Sequence, residues 1–357
     1  MNLLTIVTIT AAILTLLSIF LLLVTIGLRV FTDRSLDHEA DFRKHAIPLI
    51  KSFLRGEATI EVCASILRKD PQLALQFLME ESDSLDEEGR KTLHPLFAAF
   101  PLLDRELKAL KSPRWQTRLH AAERLGYLGE DAALPALMTA LRDNVVGVRF
   151  AAARSLVQLG CHDAVEPILL GLDVPGEISQ RRVTEIISPL GTRAIDPVLN
   201  ILKNNSFDDA SLAIAARIAG ILRAEAALPL LRHLLQHQVA NVRLNSVRSL
   251  ASIGDHDAIP EIAALGEDPS WEVRSAVMGA LGKLRAIENI PLLLQGLSDQ
   301  EWWVRHNAGV ALVALGDQGI EALRNATDHH VDAYGRDMSR QILQQQGLLE
   351  PVTEALP

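Results

Sequence analysis

The sequence predicts an all-α fold, an α-solenoid of about seven stacked helix pairs preceded by one transmembrane helix and an N-terminal helical cap. Three observations predict it. Apolar residues make up 48% of the 357-residue chain but aromatics only 4%, and a core of Leu, Ala, Ile and Val suits packed helices better than a sheet, which favours β-branched and aromatic residues. One residue pattern recurs about every 31 positions between Arg118 and Arg305, the mark of a stacked repeat. Residues 3–28 carry no charge at all.

That uncharged run is expected to be a membrane anchor occupying residues 1–31, since about 20 apolar residues cross a hydrocarbon core. Only Met1 and Asn2 precede it, and Arg29, Val30 and Phe31 follow in place of a small-x-small cleavage site, so it reads as uncleaved rather than as a secretory signal. Lys and Arg flank it on one side only, at Arg29, Arg34, Arg43 and Lys44. The positive-inside rule then places the N-terminus outside and the rest in the cytoplasm. The expected setting is a single pass through a bacterial inner membrane, with the lipid bilayer as the partner of residues 3–28.

Residues 32–111 read as helices outside the repeat register. One pattern runs from Leu36 to Leu54 and ends at Arg55-Gly56; a second covers Glu57 to Lys69, and a third Pro71 to Met79. The acidic stretch from Glu80 to Glu88 reads as a linker. Ser84 and Glu87 have capping-box spacing within it, which starts another helix at Leu85. This region is expected to cap the first repeat, with a separate partner-docking domain as the alternative.

Residues 112–332 form the array. An arginine column stands at Arg118, Arg149, Arg243, Arg274 and Arg305, with Gln180 and Leu212 in the two missing places. Three, seven and ten residues later come small or apolar positions, for example Ala152, Leu156 and Leu159, which share one face of a helix. Eleven residues after the column stands Gly129, Gly160, Gly191, Arg223, Gly254, Arg285 or Gly316, where a helix ends in the left-handed conformation that glycine favours. Pro135, Pro197, Pro229, Pro260 and Pro291 then open a second helix. The last row lacks this proline and is one residue short. Residues 333–357 are expected to be a C-terminal capping helix and a tail.

Val148-Arg149 with Ala152 and Leu156, and the pairs Val242-Arg243, Val273-Arg274 and Val304-Arg305, together with Asp143, Asp268 and Asp299, make a D-x(4)-V-R-x(2)-small pattern. These rows resemble HEAT repeats, specifically the short variety found in phycobilin lyase subunits. The resemblance implies a superhelical array that contacts proteins. It is expected to act as a membrane-anchored interaction scaffold or accessory subunit of a membrane-associated complex, and similarity to anchored arrays points to polysaccharide-synthesising machinery. The alternative is a phycobilin-lyase-like subunit that handles a tetrapyrrole or modifies a partner protein.

A net charge of −9 excludes a general nucleic-acid binder, which needs a basic face. Cys63 and Cys161 lie far apart in apolar patterns and read as buried thiols. No nucleophile, metal-ligand or phosphate-loop motif with its required spacing is present, so no enzyme activity, cofactor or metal is expected. Gly279 to Lys283 lacks the spacing of a phosphate loop. His233 with His237, and His329 with His330, read as solvated histidines. The arginine column reads as a structural ladder to the preceding loop's aspartate or to carbonyls, not as an anion site. Trp115, Trp271 and Trp302 stand three residues before the arginine column, about 120° from the buried stripe at 100° per residue. They are the candidate partner-binding residues, because exposed tryptophans anchor interfaces. Trp303 is expected to pack inward.

Overall fold

A computed structural model describes the backbone of residues 3–99, 102–172, 177–204 and 207–349, and their side chains except at 3–15, 27–28, 30–35, 87 and 177–180. Among the described residues every regular element is a helix. The chain forms two compact units, residues 1–109 with 127–130, and residues 110–126 with 131–357.

The first unit holds α1 (Leu3–Leu54), α2 (Ile60–Leu67), α3 (Pro71–Asp83), α4 (Glu87–Ala98) and α5 (Leu103–Ala109). Phe42 and Ile50 of α1 are buried with Leu67, Phe77, Leu78, Leu93 and Leu96. Phe42 stacks on Phe77 at 5.9 Å, and the Arg43 guanidinium lies 4.5 Å over the same ring while its Nη2 donates to Glu80 at 2.9 Å. The expected linker is different in form: α3 continues through Glu80 and Glu81, because the buried Ser82 side and these contacts hold its last turn. Asp86, not Ser84, caps α4, accepting the Gly89 N–H at 2.9 Å.

The expected anchor is corrected. Among the described residues no helix is long and apolar enough to cross a membrane. The side chains described within the uncharged run are residues 16–26. The rest of the run, residues 3–15 and 27–28, lies outside the described side chains. The single-pass assignment to a bacterial inner membrane, the outside N-terminus with a cytoplasmic array, and the bilayer as partner of residues 3–28 all rested on that span and do not stand.

The second unit is the array. Its rows pair α6 (Trp115–Leu128) with α7 (Leu134–Ala140), α8 (Val146–Gln158) with α9 (Val165–Gly171), and α10 (Glu177–Ile187) with α11 (Ile195–Lys203). They continue as α12 (Asp209–Ile221) with α13 (Leu228–Leu234), α14 (Ala240–Ile253) with α15 (Ile259–Ala263), α16 (Trp271–Lys283) with α17 (Ile290–Gly296), and α18 (Trp302–Ala314) with α19 (Asp317–His329). The stripe is buried as its spacing requires: Leu125, Leu156, Ile187, Ala219, Leu250, Leu281 and Leu312 are all fully covered. In rows with the proline a short 3-10 turn leads into the second helix, whereas α19 begins directly at Asp317.

The turn column has a positive φ at every row, including its two arginines, Arg223 at φ 50° and Arg285 at φ 51°. An L-residue pays about 1–2 kcal/mol there, partly offset by glycine's larger entropy loss on folding. Arg285→Gly is therefore expected to stabilise the array by about 0.5 kcal/mol, read as a higher melting temperature; a lower one would mean that the arginine side chain makes up for its backbone.

The register also runs one row further than expected. α20 (Ala333–Gln345) carries Arg336, Ser339 and Leu343 in the three columns, and Gly347 follows at φ 66°. What reads as a separate capping helix is the first helix of an eighth row.

Candidate protein-contact surface

The arginine column builds a ladder, and each aspartate serves two rows. Arg274 Nε and Nη2 donate to the Asp299 carboxylate at 2.7 and 2.8 Å, while its Nη1 donates to the carbonyl of Asp268 at 2.9 Å. Arg243 repeats this, with 2.7 Å bonds from Nε and Nη2 to Asp268 and one of the same length from Nη1 to the carbonyl of His237. Arg118 is tied likewise to Asp143 and to the carbonyl of Ser112. Of the two expected partners in the preceding loop, the carbonyls are the ones used; the aspartate is corrected, since the carboxylate comes from the following loop. These guanidiniums are nearly buried, Arg243 at 11% and its partner at 3% exposure, and have no free edge for a ligand. Fork-to-fork pairs of this kind are the strong, directional form of the contact.

Two of the carboxyls titrate low. The Arg118 hydrogen bond holds Asp143 below the usual range against the opposing effect of burial, helped by the Val145 N–H. At Asp299, burial pushes upward but the Arg274 hydrogen bond and the Glu301 N–H prevail, and the net shift is downward. A carboxyl whose folded pKa is depressed contributes stability that is complete above its unfolded value and is lost as pH falls through the folded one. The melting temperature should therefore be level near neutral pH and fall below about pH 4. In Asp299→Asn that acid-side fall should be shallower, and an equally steep fall would show that other carboxyls carry it.

The carboxylate link is missing at Arg149, whose buried Nε has no hydrogen-bond partner among the described residues, and again at the last full row. His330 takes the aspartate position, its Nδ1 3.1 Å from the Asp332 N–H and its Nε2 3.0 Å from the Leu294 carbonyl. His237 does the same in row four, accepting the Val239 N–H at 3.2 Å. These two histidines are turn-forming rather than solvated, while His233 is exposed as expected. Among the described residues no cluster of potential ligands is placed to hold a metal ion. Gly279 to Lys283 lies inside α16. Cys63 is buried, but Cys161 is only partly covered and stands in a turn rather than in a helix.

Without a following aspartate, Arg305 uses Nη1 on the carbonyls of Asp299 and Gln300, at 2.7 and 2.9 Å, and lies 5.1 Å from the Tyr334 ring. Around it sits an apolar surface. Trp302 is 39% exposed and Trp303 54%; their rings meet edge-on at 4.8 Å, and Trp302 stacks on His306 at the same distance. Tyr334 occupies in row eight the column of Trp303 in row seven, and it and Val331 are exposed at 64% and 97%. Trp303 therefore does not pack inward, because α18 begins at Trp302 and both indoles stand on its outer first turn. Trp271 is half-buried one row back, and Trp115 is exposed at the start of α6, in row one. The three candidate tryptophans do not form one cluster. The signal that was missed is the column two residues before the ladder arginine, which joins Trp303 to Tyr334.

The family described as HEAT repeats matches residues 103–182, 195–267 and 261–344, more than half of the chain. The chain belongs to the HEAT-repeat family. Solved structures similar to this HEAT array include the complex of CpcE and CpcF of phycocyanin lyase from Nostoc sp., at 18% identity and TM-score 0.31, covering 69% of this chain and 94% of that one. Human deoxyhypusine hydroxylase in complex with glycerol aligns at 18% identity and TM-score 0.30, covering 86% and 98%. An engineered protein aligns at 17% identity and TM-score 0.35, covering 84% and 98%. A search of curated proteins finds no significant sequence match.

Proposed function

We propose that this HEAT-repeat chain is a non-catalytic scaffold or accessory subunit that docks a protein partner on the surface of Trp302, Trp303, Val331 and Tyr334. The observation that supports it is the exposure of three large aromatic rings on adjacent rows, in a chain whose aromatic content is only 4%. Aromatic side chains are preferred interface anchors because they bury much area for little lost rotamer freedom. Arg305 adds a guanidinium whose Nε and Nη2 lack the carboxylate that those of Arg118, Arg243 and Arg274 have. A polysaccharide-synthesising partner is not part of this reading, since it rested on the anchor.

The test replaces Trp302 and Trp303 together by Ala and compares crosslinked co-purification from cells with wild type. An interface tryptophan is worth at least about 2 kcal/mol on truncation, roughly thirtyfold in affinity. The expected result is an unchanged melting temperature and loss of the partner. Retention of the same partner at the same yield would overturn the reading, as would a large fall in melting temperature.

A further inference from the structure

Rows three and four, where the Val-Arg pair is missing, enclose an open groove of about 570 Å³ lined by Arg181, Glu185, Ser188, Pro189, Arg217 and Ile221. Its origin is local. The first helices α8, α12, α16 and α18 all run nine residues past the ladder column, to Gln158, Ile221, Lys283 and Ala314, whereas α10 stops seven past it at Ile187. Proline has no N–H to continue a helix, and its ring clashes with the carbonyl four residues back. Ser188 and Pro189 therefore leave in a short 3-10 turn, which Gly191 (φ 56°, ψ −134°) breaks from a second turn ending at Ala194. Ile221 is 53% exposed, in a column that elsewhere holds Tyr127, Gln158, Pro189, Ser252, Lys283 and Ala314.

The groove is also basic in an acidic chain. Arg181 donates to Glu185 at 3.0 Å and is neutralised by it. Arg217 is half-buried and has no hydrogen-bond or ion-pair partner among the described residues. Arg154 and Arg248 stand at the equivalent position of rows two and five, five residues past the column, and Glu185 at that of row three.

We propose that this groove binds an acidic peptide segment of a protein partner, with one carboxylate on Arg217 and an adjacent apolar side chain against Ile221 and Pro189. A carboxylate takes a guanidinium bidentately as a single negative charge; a phosphate dianion would bring a second negative charge into the groove that Glu185 also lines. The groove's openness favours a peptide laid along it, since small-molecule sites enclose about 70–90% of their ligand. This site lies in rows three and four and is independent of the aromatic surface in rows seven and eight.

The experiment selects binders to the full chain from a library of random 12-residue peptides, then measures synthetic winners by fluorescence anisotropy. The expected winners carry Asp or Glu next to an apolar residue. Arg217→Gln should weaken them at least tenfold without changing the melting temperature, and Lys203→Gln, away from the groove, should not. Pro189→Ala, which lets α10 extend over the groove, should weaken them too. Replacing the peptide's Glu by Gln should cause the same loss with the protein untouched, which keeps the test decisive if a variant folds poorly. Winners without acidic residues, equal binding to Arg217→Gln, or displacement by low-millimolar inorganic phosphate would each overturn the proposal.

Discussion

Asp268→Ala should lower the melting temperature more than any surface substitution in the array. The Asp268 carboxylate accepts both arms of Arg243 at 2.7 Å and the Ser270 N–H at 2.9 Å, and it is only 3% exposed. Removing it strands a nearly buried guanidinium. Breaking a buried pair from one side typically costs about 3–5 kcal/mol. For a unit of this size each kcal/mol shifts the midpoint by about 2–4 °C, so a fall of about 10 °C is expected. Hydrogen exchange should quicken first in α14 and α16, the two helices that the link joins. Asp268→Leu combined with Arg243→Met, which removes both charges, should recover much of the loss. A melting curve that Asp268→Ala leaves unmoved would mean that water reaches the pair and screens it.

Gly220→Ala should be about as damaging, for a steric reason. A Cβ at Gly220 would lie 2.7 Å from the Ser249 Cα, so α12 and α14 cannot keep their spacing. Ser249 Oγ, which donates to the Ala216 carbonyl at 2.8 Å, would be pushed aside as well. Gly126 against Ser155 and Gly282 against Ala311 are packed in the same way, so a bare helix face meeting a small residue recurs along the stack. Overpacking costs about 1–3 kcal/mol and occasionally more; the backbone clash places Gly220→Ala at the upper end. The matched control is Gly279→Ala, where a Cβ would meet nothing within 4 Å and better helix propensity should add about 0.5–1 kcal/mol. Two glycine-to-alanine changes in one array should thus move melting in opposite directions. Equal effects would refute the close-packing account.

The array was legible in the sequence because its columns are set by local chemistry: a 3.6-residue stripe, a left-handed turn and a proline at the next helix start. What was not legible depended on which neighbour a side chain meets. Asp268 stands six residues before Arg274 and 25 after Arg243, and both spacings recur through the sequence. Only the fold shows that its carboxylate turns to Arg243 and its carbonyl to Arg274. The eighth row was hidden because Gly335 and His330 stand where valine and aspartate do in other rows. At the candidate surface, the exposure of Trp302 followed from its column, but Trp303 was misplaced: a helical wheel assumes a full turn before the residue, and α18 begins at Trp302. The groove at Arg217 was in reach of the sequence, since Pro189 interrupts a helix pattern that the other rows complete.

Because each aspartate offers its carboxylate backward and its carbonyl forward, both joints of a row are interchangeable parts. Excising residues 269–299 would join Asp268 directly to Gln300, and the carbonyls that Arg305 now uses at Asp299 and Gln300 would be replaced by those of Asp268 and Gln300. Arg243 would keep its carboxylate. A chain spliced at this seam loses one whole unit and leaves no half-made bond, and a duplication at the same seam adds one. The ladder is thus also a rule for changing the length of the array during evolution.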